Sequence, residues 1–190
     1  METLLELDSN ILLWIQEYIR QDFMDWFWVN ITKLGDGGLF WIAVSIILIL
    51  FKKTRPVGIA ALGSMVVCYF ITNLTLKPLV DRPRPYTMIA DLELMIPREG
   101  DRSFPSGHTT ASFAAALIYF RMMPKKIGVT AVILASLVSL SRLYVGVHYP
   151  TDVIGGFLVA MIGSMIVYHI YLFIHEKWVS RKNNLNNKAC

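Results

Sequence analysis

Four long apolar segments, at roughly residues 57–76, 107–122, 126–146 and 152–174, each come close to the ~20 residues that an α-helix needs to cross the hydrocarbon core of a bilayer. A chain of 190 residues that carries four of them has room for little besides a helical membrane domain. A fifth run, GGLFWIAVSIILILF from Gly37 to Phe51, is shorter but apolar on every side, and it is expected to be a span with residues added at either end. The composition agrees: 55% of residues are hydrophobic and only 17% charged, with mean hydropathy +0.50, well outside the range of ordinary soluble domains. The fold class read from this is an all-α polytopic bundle of five spans.

The first 36 residues follow a different pattern. Glu17, Arg20, Asp22, Asp25 and Lys33 interrupt the apolar runs, while Trp14, Trp26 and Trp28 favour the membrane interface. Two short amphipathic helices divided near Gln21 and Asp22, lying at the surface, are expected here; a sixth span is the alternative. The domains are then residues 1–36 as interfacial helices, 37–174 as the transmembrane core and 175–190 as a basic tail. Met1, Glu2, Glu6 and Asp8 do not resemble the basic start of a signal peptide, so no cleavage is expected. Cys68 inside a span and Cys190 at the end suggest neither a disulfide nor a cysteine metal site.

Charge sets the orientation. Lys52, Lys53 and Arg55 occupy one connection, Arg121, Lys125 and Lys126 another, and Lys177, Arg181, Lys182 and Lys188 the tail. Five alternating spans put all three on one side, which the Lys/Arg bias makes cytoplasmic. The loop from Lys77 to Pro105, where Asp81, Asp91, Glu93, Glu99 and Asp101 balance the basic residues, falls on the extracytoplasmic side. The net charge of +4 is therefore explained by membrane topology, and no nucleic-acid partner is expected.

Three polar stretches converge on that same face: Lys77-Pro-Leu-Val-Asp-Arg-Pro-Arg84-Pro85, then Pro105-Ser106-Gly107-His108, then Ser141-Arg142 with His148 and Asp152. Ionisable residues at membrane depth are expensive and mark a functional site or a buried structural pair. Arg84 and Arg142 carry planar donor forks suited to phosphate oxygens, and Lys77 adds a compact charge. A lone cation at a helix end is more simply a snorkelling side chain, but three of them beside two histidines describe a dianion site. Ser106 fits an N-cap, and Gly107 lets an anion approach the free backbone N–H groups; plain capping is the alternative. Asp152, four residues after His148, can hold one ring nitrogen and leave the other as a nucleophile.

Together, Lys77-x6-Arg84-Pro85, Pro105-Ser106-Gly107-His108 and Ser141-Arg142-x5-His148-x3-Asp152 resemble the three-part signature of the type 2 phosphatidic acid phosphatase superfamily, which also contains the vanadium-dependent haloperoxidases. No position of the pattern is substituted. The resemblance implies that Lys77, Arg84, Ser106, Gly107 and Arg142 bind the phosphoryl group, that His108 protonates the leaving oxygen, and that His148 attacks phosphorus while Asp152 orients it. The cations and backbone donors supply what a metal clamp would, and no carboxylate cluster is at hand to hold one, so no metal and no other cofactor is expected. The expected partners are the bilayer and a lipid phosphate or diphosphate, with oligomeric state open. Among family substrates, undecaprenyl diphosphate suits a small chain with an extracytoplasmic site; phosphatidylglycerophosphate and phosphatidic acid are the alternatives. A lipid phosphotransferase and a small transporter are the competing readings from other classes. Many membrane members have six spans, which bears on the first 36 residues.

Overall fold

The computed structural model describes residues 2–188, and every regular element among them is a helix. Met1, Ala189 and Cys190 lie outside the described residues, as do the side chains of Glu2 and of residues 182–188, and hence Lys182 and Lys188 of the expected tail. Helix α1 (Glu2–Trp14) runs on through a wider π turn (Ile15–Ile19), and extended backbone at Arg20 and Gln21 separates it from α2 (Asp22–Lys33). A 3-10 turn (Asp36–Gly38) leads into α3 (Leu39–Leu50). Then α4 (Arg55–Tyr69) continues as π-helix (Phe70–Leu76) into the single turn α5 (Lys77–Val80), and a second single turn, α6 (Pro85–Met88), follows. The last three are α7 (Gly107–Met122), α8 (Lys125–Tyr144) and α9 (Pro150–Lys188).

Proline and serine set most of the helix starts. Pro56 and Pro150 occupy first turns, where a missing N–H costs nothing, and Ser106 caps α7 by accepting from Thr109 N at 3.4 Å. Three helical segments, Arg55–Met88, Lys125–Tyr144 and Pro150–Arg181, are long and apolar enough to cross a membrane; a fourth is added if α2 and α3, bent by 47° at residues 34–35, count as one. The 16-residue α7 is shorter and is enclosed by its neighbours.

Side-chain sizes are distributed as lipid solvent demands. The interior between α4, α7, α8 and α9 is built from Ala60, Ala61, Ala114, Ala115, Ala116, Ala131, Ala135 and Ala160. Ile59, Ile133, Leu140, Ile162, Ile166 and Ile170 point outward. Small inward residues let helix backbones approach where no hydrophobic drive separates protein from lipid. Trp41 is the large exception: its Nε1 donates to Ser112 Oγ at 2.9 Å, and Ser45 lies 2.7 Å from the Tyr119 hydroxyl. These bonds tie α3 alongside α7 in the same direction.

The resulting alternation sends α4 and α8 back, so Lys77, Gly107, Arg142 and His148 all emerge at one end of the bundle. The basic connections and the tail are at the other. Helix α1 and the π turn and link that follow it lie across the polar end: Asp8 accepts from Thr151 N at 3.1 Å, Gln16 donates to the Asp91 carbonyl at 2.8 Å, and Arg20 to that of Tyr144 at 2.8 Å. Asp8, Leu12 and Thr32 are all buried there, so the first 36 residues form part of the walls of this end.

Candidate active site

The Arg-Pro-Arg-Pro run is stiff. Each proline holds the residue before it in extended backbone, as seen at Arg84 (φ −76, ψ 152), and residues two apart in extended chain project the same way. Both Arg82 and Arg84 therefore reach inward, though the sequence reading used only Arg84. Asp81, in left-handed conformation (φ 49), ends α5 just before them.

On the opposite side of this end, Val145 to Tyr149 link α8 to α9 and carry His148, of which 1% is exposed. Its Nδ1 faces Asp152 Oδ2 at 3.4 Å and its Nε2 faces Arg84 at 3.3 Å. The Asp152 carboxylate holds its position through three further contacts: it accepts from Ser103 Oγ at 2.5 Å and from Tyr149 N at 2.9 Å, and it forms an ion pair with Arg82 at 2.7 Å. Arg82 in turn reaches Asp8 Oδ2 at 2.7 Å and stacks 3.9 Å over the Tyr149 ring. A chain of charges thus runs Asp8, Arg82, Asp152 and ends on the His148 ring. Burial pushes the His148 pKa down to about 4, helped by Arg84 and Arg142 and opposed by Asp152. At neutral pH the imidazole is uncharged, with Nδ1–H directed to the carboxylate and the Nε2 lone pair toward the cations.

Gly107 and His108 open α7 close to these groups. A Cβ on Gly107 would lie 3.6 Å from the Lys77 ammonium, so the helix's first turn and this cation share one space. The start of α9 is pressed against the same turn: a Cβ at Gly156 would come 2.7 Å from the Ser106 carbonyl, a contact that only glycine allows. Ser106 N donates to the Asp152 carbonyl at 3.0 Å, which fixes the turn bearing His108 relative to the His148 pair. Ser106 itself is fully buried, its hydroxyl accepts from Thr109, and it lies outside the lining of the adjacent cavity.

Lys77, Arg84, Gly107, His108 and His148 line the polar end of a cavity of about 840 Å³. Glu99 and Asp101 line that end too, and the other walls are mostly apolar, from Ile42, Leu62, Met65, Val66, Tyr69 and Phe70 on α3, α4 and the π-helical turn. Arg142 stands behind, wholly buried, donating to Thr32 at 2.5 Å and to Glu99, with its Nε left without a partner.

The loop acids were read from sequence as balancing charge; two of them occupy the site instead. Glu99 pairs with Arg84 at 2.6 Å and with Arg142, while Asp101 pairs with Lys77 and Arg84. Burial alone would raise both carboxyl pKa values, but Arg142 and Arg84 around Glu99, and Lys77 and Arg84 around Asp101, outweigh it and hold each at about 2. Two carboxylates thus sit on the cations where a dianion would sit. Among the described residues no three His, Cys, Asp or Glu side chains group as a metal ligand set.

A model of the PAP2 superfamily matches residues 57–176, the stretch that carries all of these groups except the N-terminal ones. An undecaprenyl-diphosphatase of Sulfolobus acidocaldarius is 37% identical over 126 residues, 66% of this chain; the match spans 59% of that protein's own length. A lipid A 4'-phosphatase of Porphyromonas gingivalis is 30% identical across 94% of this chain and 79% of its own. The crystal structure of a transmembrane PAP2-type phosphatidylglycerolphosphate phosphatase from Bacillus subtilis shares the fold with TM-score 0.73 at 27% identity, covering 90% of this chain and 87% of that one.

Proposed function

Because the chain belongs to the PAP2 superfamily, we propose that it is a membrane lipid phosphatase that works through a phosphohistidine on His148. The observation that carries this reading is the cavity itself, with two histidines, Lys77, Arg84 and the acids paired to them at one end and mostly apolar side chains along the rest. That division matches a phosphate headgroup on a hydrocarbon tail. His148 Nε2 attacks phosphorus, His108 gives a proton to the departing lipid oxygen, and Asp152 holds the charge that develops on His148. Lys77, Arg84, Arg142 and the backbone at Gly107 receive the phosphoryl oxygens, doing what a bound metal clamp does elsewhere. Water then cleaves the phosphohistidine.

The favoured substrate is undecaprenyl diphosphate, converted to the monophosphate; the name of the Sulfolobus relative supports it. Glycerophospholipid phosphates are the second reading, supported by the name of the Bacillus structure. Phosphate release from the two lipid classes in detergent, with a chelator present, tests both. Release from either is expected, with the diphosphate faster; no release, or activity that returns only with Mg²⁺, would remove the proposal.

The seated carboxylates predict a further result. Glu99 and Asp101 compete with phosphate for the same cations, so Glu99→Gln combined with Asp101→Asn is expected to lower the inhibition constant of inorganic phosphate by about tenfold, equivalent to ~1.4 kcal/mol. An unchanged or higher constant would mean that the two acids do not stand in the phosphate's place.

For topology, the reading is five crossings: the bent α2–α3 pair, then α4, α7, α8 and α9, with α1 lying along the extracytoplasmic surface. Lys52, Lys53 and Arg55 at the joint between α3 and α4, Arg121, Lys125 and Lys126 flanking the joint between α7 and α8, and Lys177 and Arg181 late in α9 support this orientation. A thiol placed at Glu93 is expected to be labelled from outside intact cells and one at Lys125 not. The reverse labelling would invert the protein.

A further inference from the structure

The break between α2 and α3 places an acid on the second histidine. Residues 35–38 read Gly-Asp-Gly-Gly, and the last two glycines take positive φ (56 and 67), a conformation that side chains resist. Gly35 lies directly on the His108 ring: a Cβ there would come 2.5 Å from Cδ2 and 2.8 Å from Val138. With Gly35 packed under the ring, the next residue reaches its edge, and Asp36 Oδ1 stands 2.9 Å from His108 Nε2. These backbone requirements and the ion pair are separate observations that agree.

We propose that Asp36 is a positioning residue for the acid step, a counterpart on His108 of what Asp152 is on His148. This rests on the phosphatase reading above. Asp36 accepts the Nε2 proton, which leaves Nδ1 as the ring nitrogen that can release one. A neutral ring with its single proton on Nε2 has none to give there, so donation requires the doubly protonated ring, and the carboxylate supplies its counter-charge. As the bond from phosphorus to the lipid oxygen breaks and the bond to His148 Nε2 forms, the Nδ1 proton passes to that oxygen. His108 becomes neutral with its remaining proton still held by Asp36. Burial is the largest influence against the charge on this ring and Asp36 the largest in its favour; Arg142 opposes it and Glu99 favours it, but neither of these is bonded to the ring. The N-terminal segment thereby contributes to the chemistry as well as to the walls.

The test compares Asp36→Asn, His108→Ala and the double variant on an alkyl lipid phosphate, whose leaving oxygen needs a proton, and on nitrophenyl phosphate, whose leaving oxygen needs little. Asp36→Asn is expected to lower kcat on the lipid by about tenfold, a minor share of the ~10²–10⁴ that a general acid supplies, with KM nearly constant and a smaller loss on the nitrophenyl ester. In the His108→Ala background the same change should add nothing. Asp36→Glu should restore part of the lost rate, since a carboxylate again reaches Nε2. Equal losses on the two esters, or an added loss without His108, would show that Asp36 acts through structure and would overturn the proposal, as would wild-type kcat on the lipid. If the unaltered protein releases phosphate from neither ester, it is the phosphatase reading that fails, and the proposal with it.

Discussion

Replacing His148 with Ala is expected to abolish turnover and the acid-labile phosphoenzyme together, a loss on the order of 10⁵–10⁶ in kcat, the range seen when a nucleophile acting as part of a unit is removed. The cations and helix N-terminus remain in that variant, so phosphate and vanadate should still bind. The buried environment adds a pH signature. His148 attacks only when neutral, and its pKa lies near 4 instead of 6.5, chiefly through burial. Activity therefore persists as pH falls below the usual histidine range and is lost as pH drops through about 4, because protonation then occupies the attacking nitrogen. Loss of the acid form of His108 on the alkaline side completes a bell. An acid limb near 6.5 in kcat/KM, or a phosphoenzyme that survives in His148→Ala while His108→Ala lacks it, would reassign the nucleophile.

Much of this architecture is legible in sequence because its signals are local. Apolar run length and Pro150 at a helix start are properties of short windows, and the apolar segment at 107–122 is the very range of the helix α7. The three motifs are equally local, which is why Lys77, Arg84, His108, Arg142, His148 and Asp152 could be named before the fold. What escaped depends on contacts across the chain. Asp8 reaches Arg82 over 74 residues, Asp36 reaches His108 over 72, and Glu99 reaches Arg142 over 43. A periodicity argument has no means of pairing such positions. Composition also misled: five acids in the loop from Lys77 to Pro105 look like neutralisation of nearby bases, and only the folded loop distinguishes Glu99 and Asp101, which enter the site, from Asp81, which pairs with Arg102 outside it. The Gly-Asp-Gly-Gly run takes its meaning from the ring that Gly35 packs against, which no local pattern reveals.

The second large effect concerns Arg142, the one cation of the site with no exposed side-chain surface. One of its terminal nitrogens donates to Thr32 at 2.5 Å, the other meets Glu99, and Nε has no partner. A phosphoryl group that displaces Glu99 can meet Nε and the adjacent terminal nitrogen as two parallel bonds, the geometry that distinguishes guanidinium from ammonium. Those bonds matter most when the three equatorial oxygens of the transferring group spread in the transition state. Truncation to Ala would confuse the result, because removing one partner of a buried ion pair costs about 3–5 kcal/mol of stability by itself. Arg142→Lys retains the charge and loses the fork. It is expected to lower kcat/KM by about 10²–10³, the loss typical of one preorganised donor, while thermal unfolding in detergent shifts little. Vanadate, which adopts the five-coordinate geometry, should lose affinity by a comparable factor, whereas inorganic phosphate, which resembles the ground state, should lose much less. Equal weakening of the two anions would mean that Arg142 binds phosphate without discriminating the transition state, and near-normal turnover would mean that its charge alone suffices.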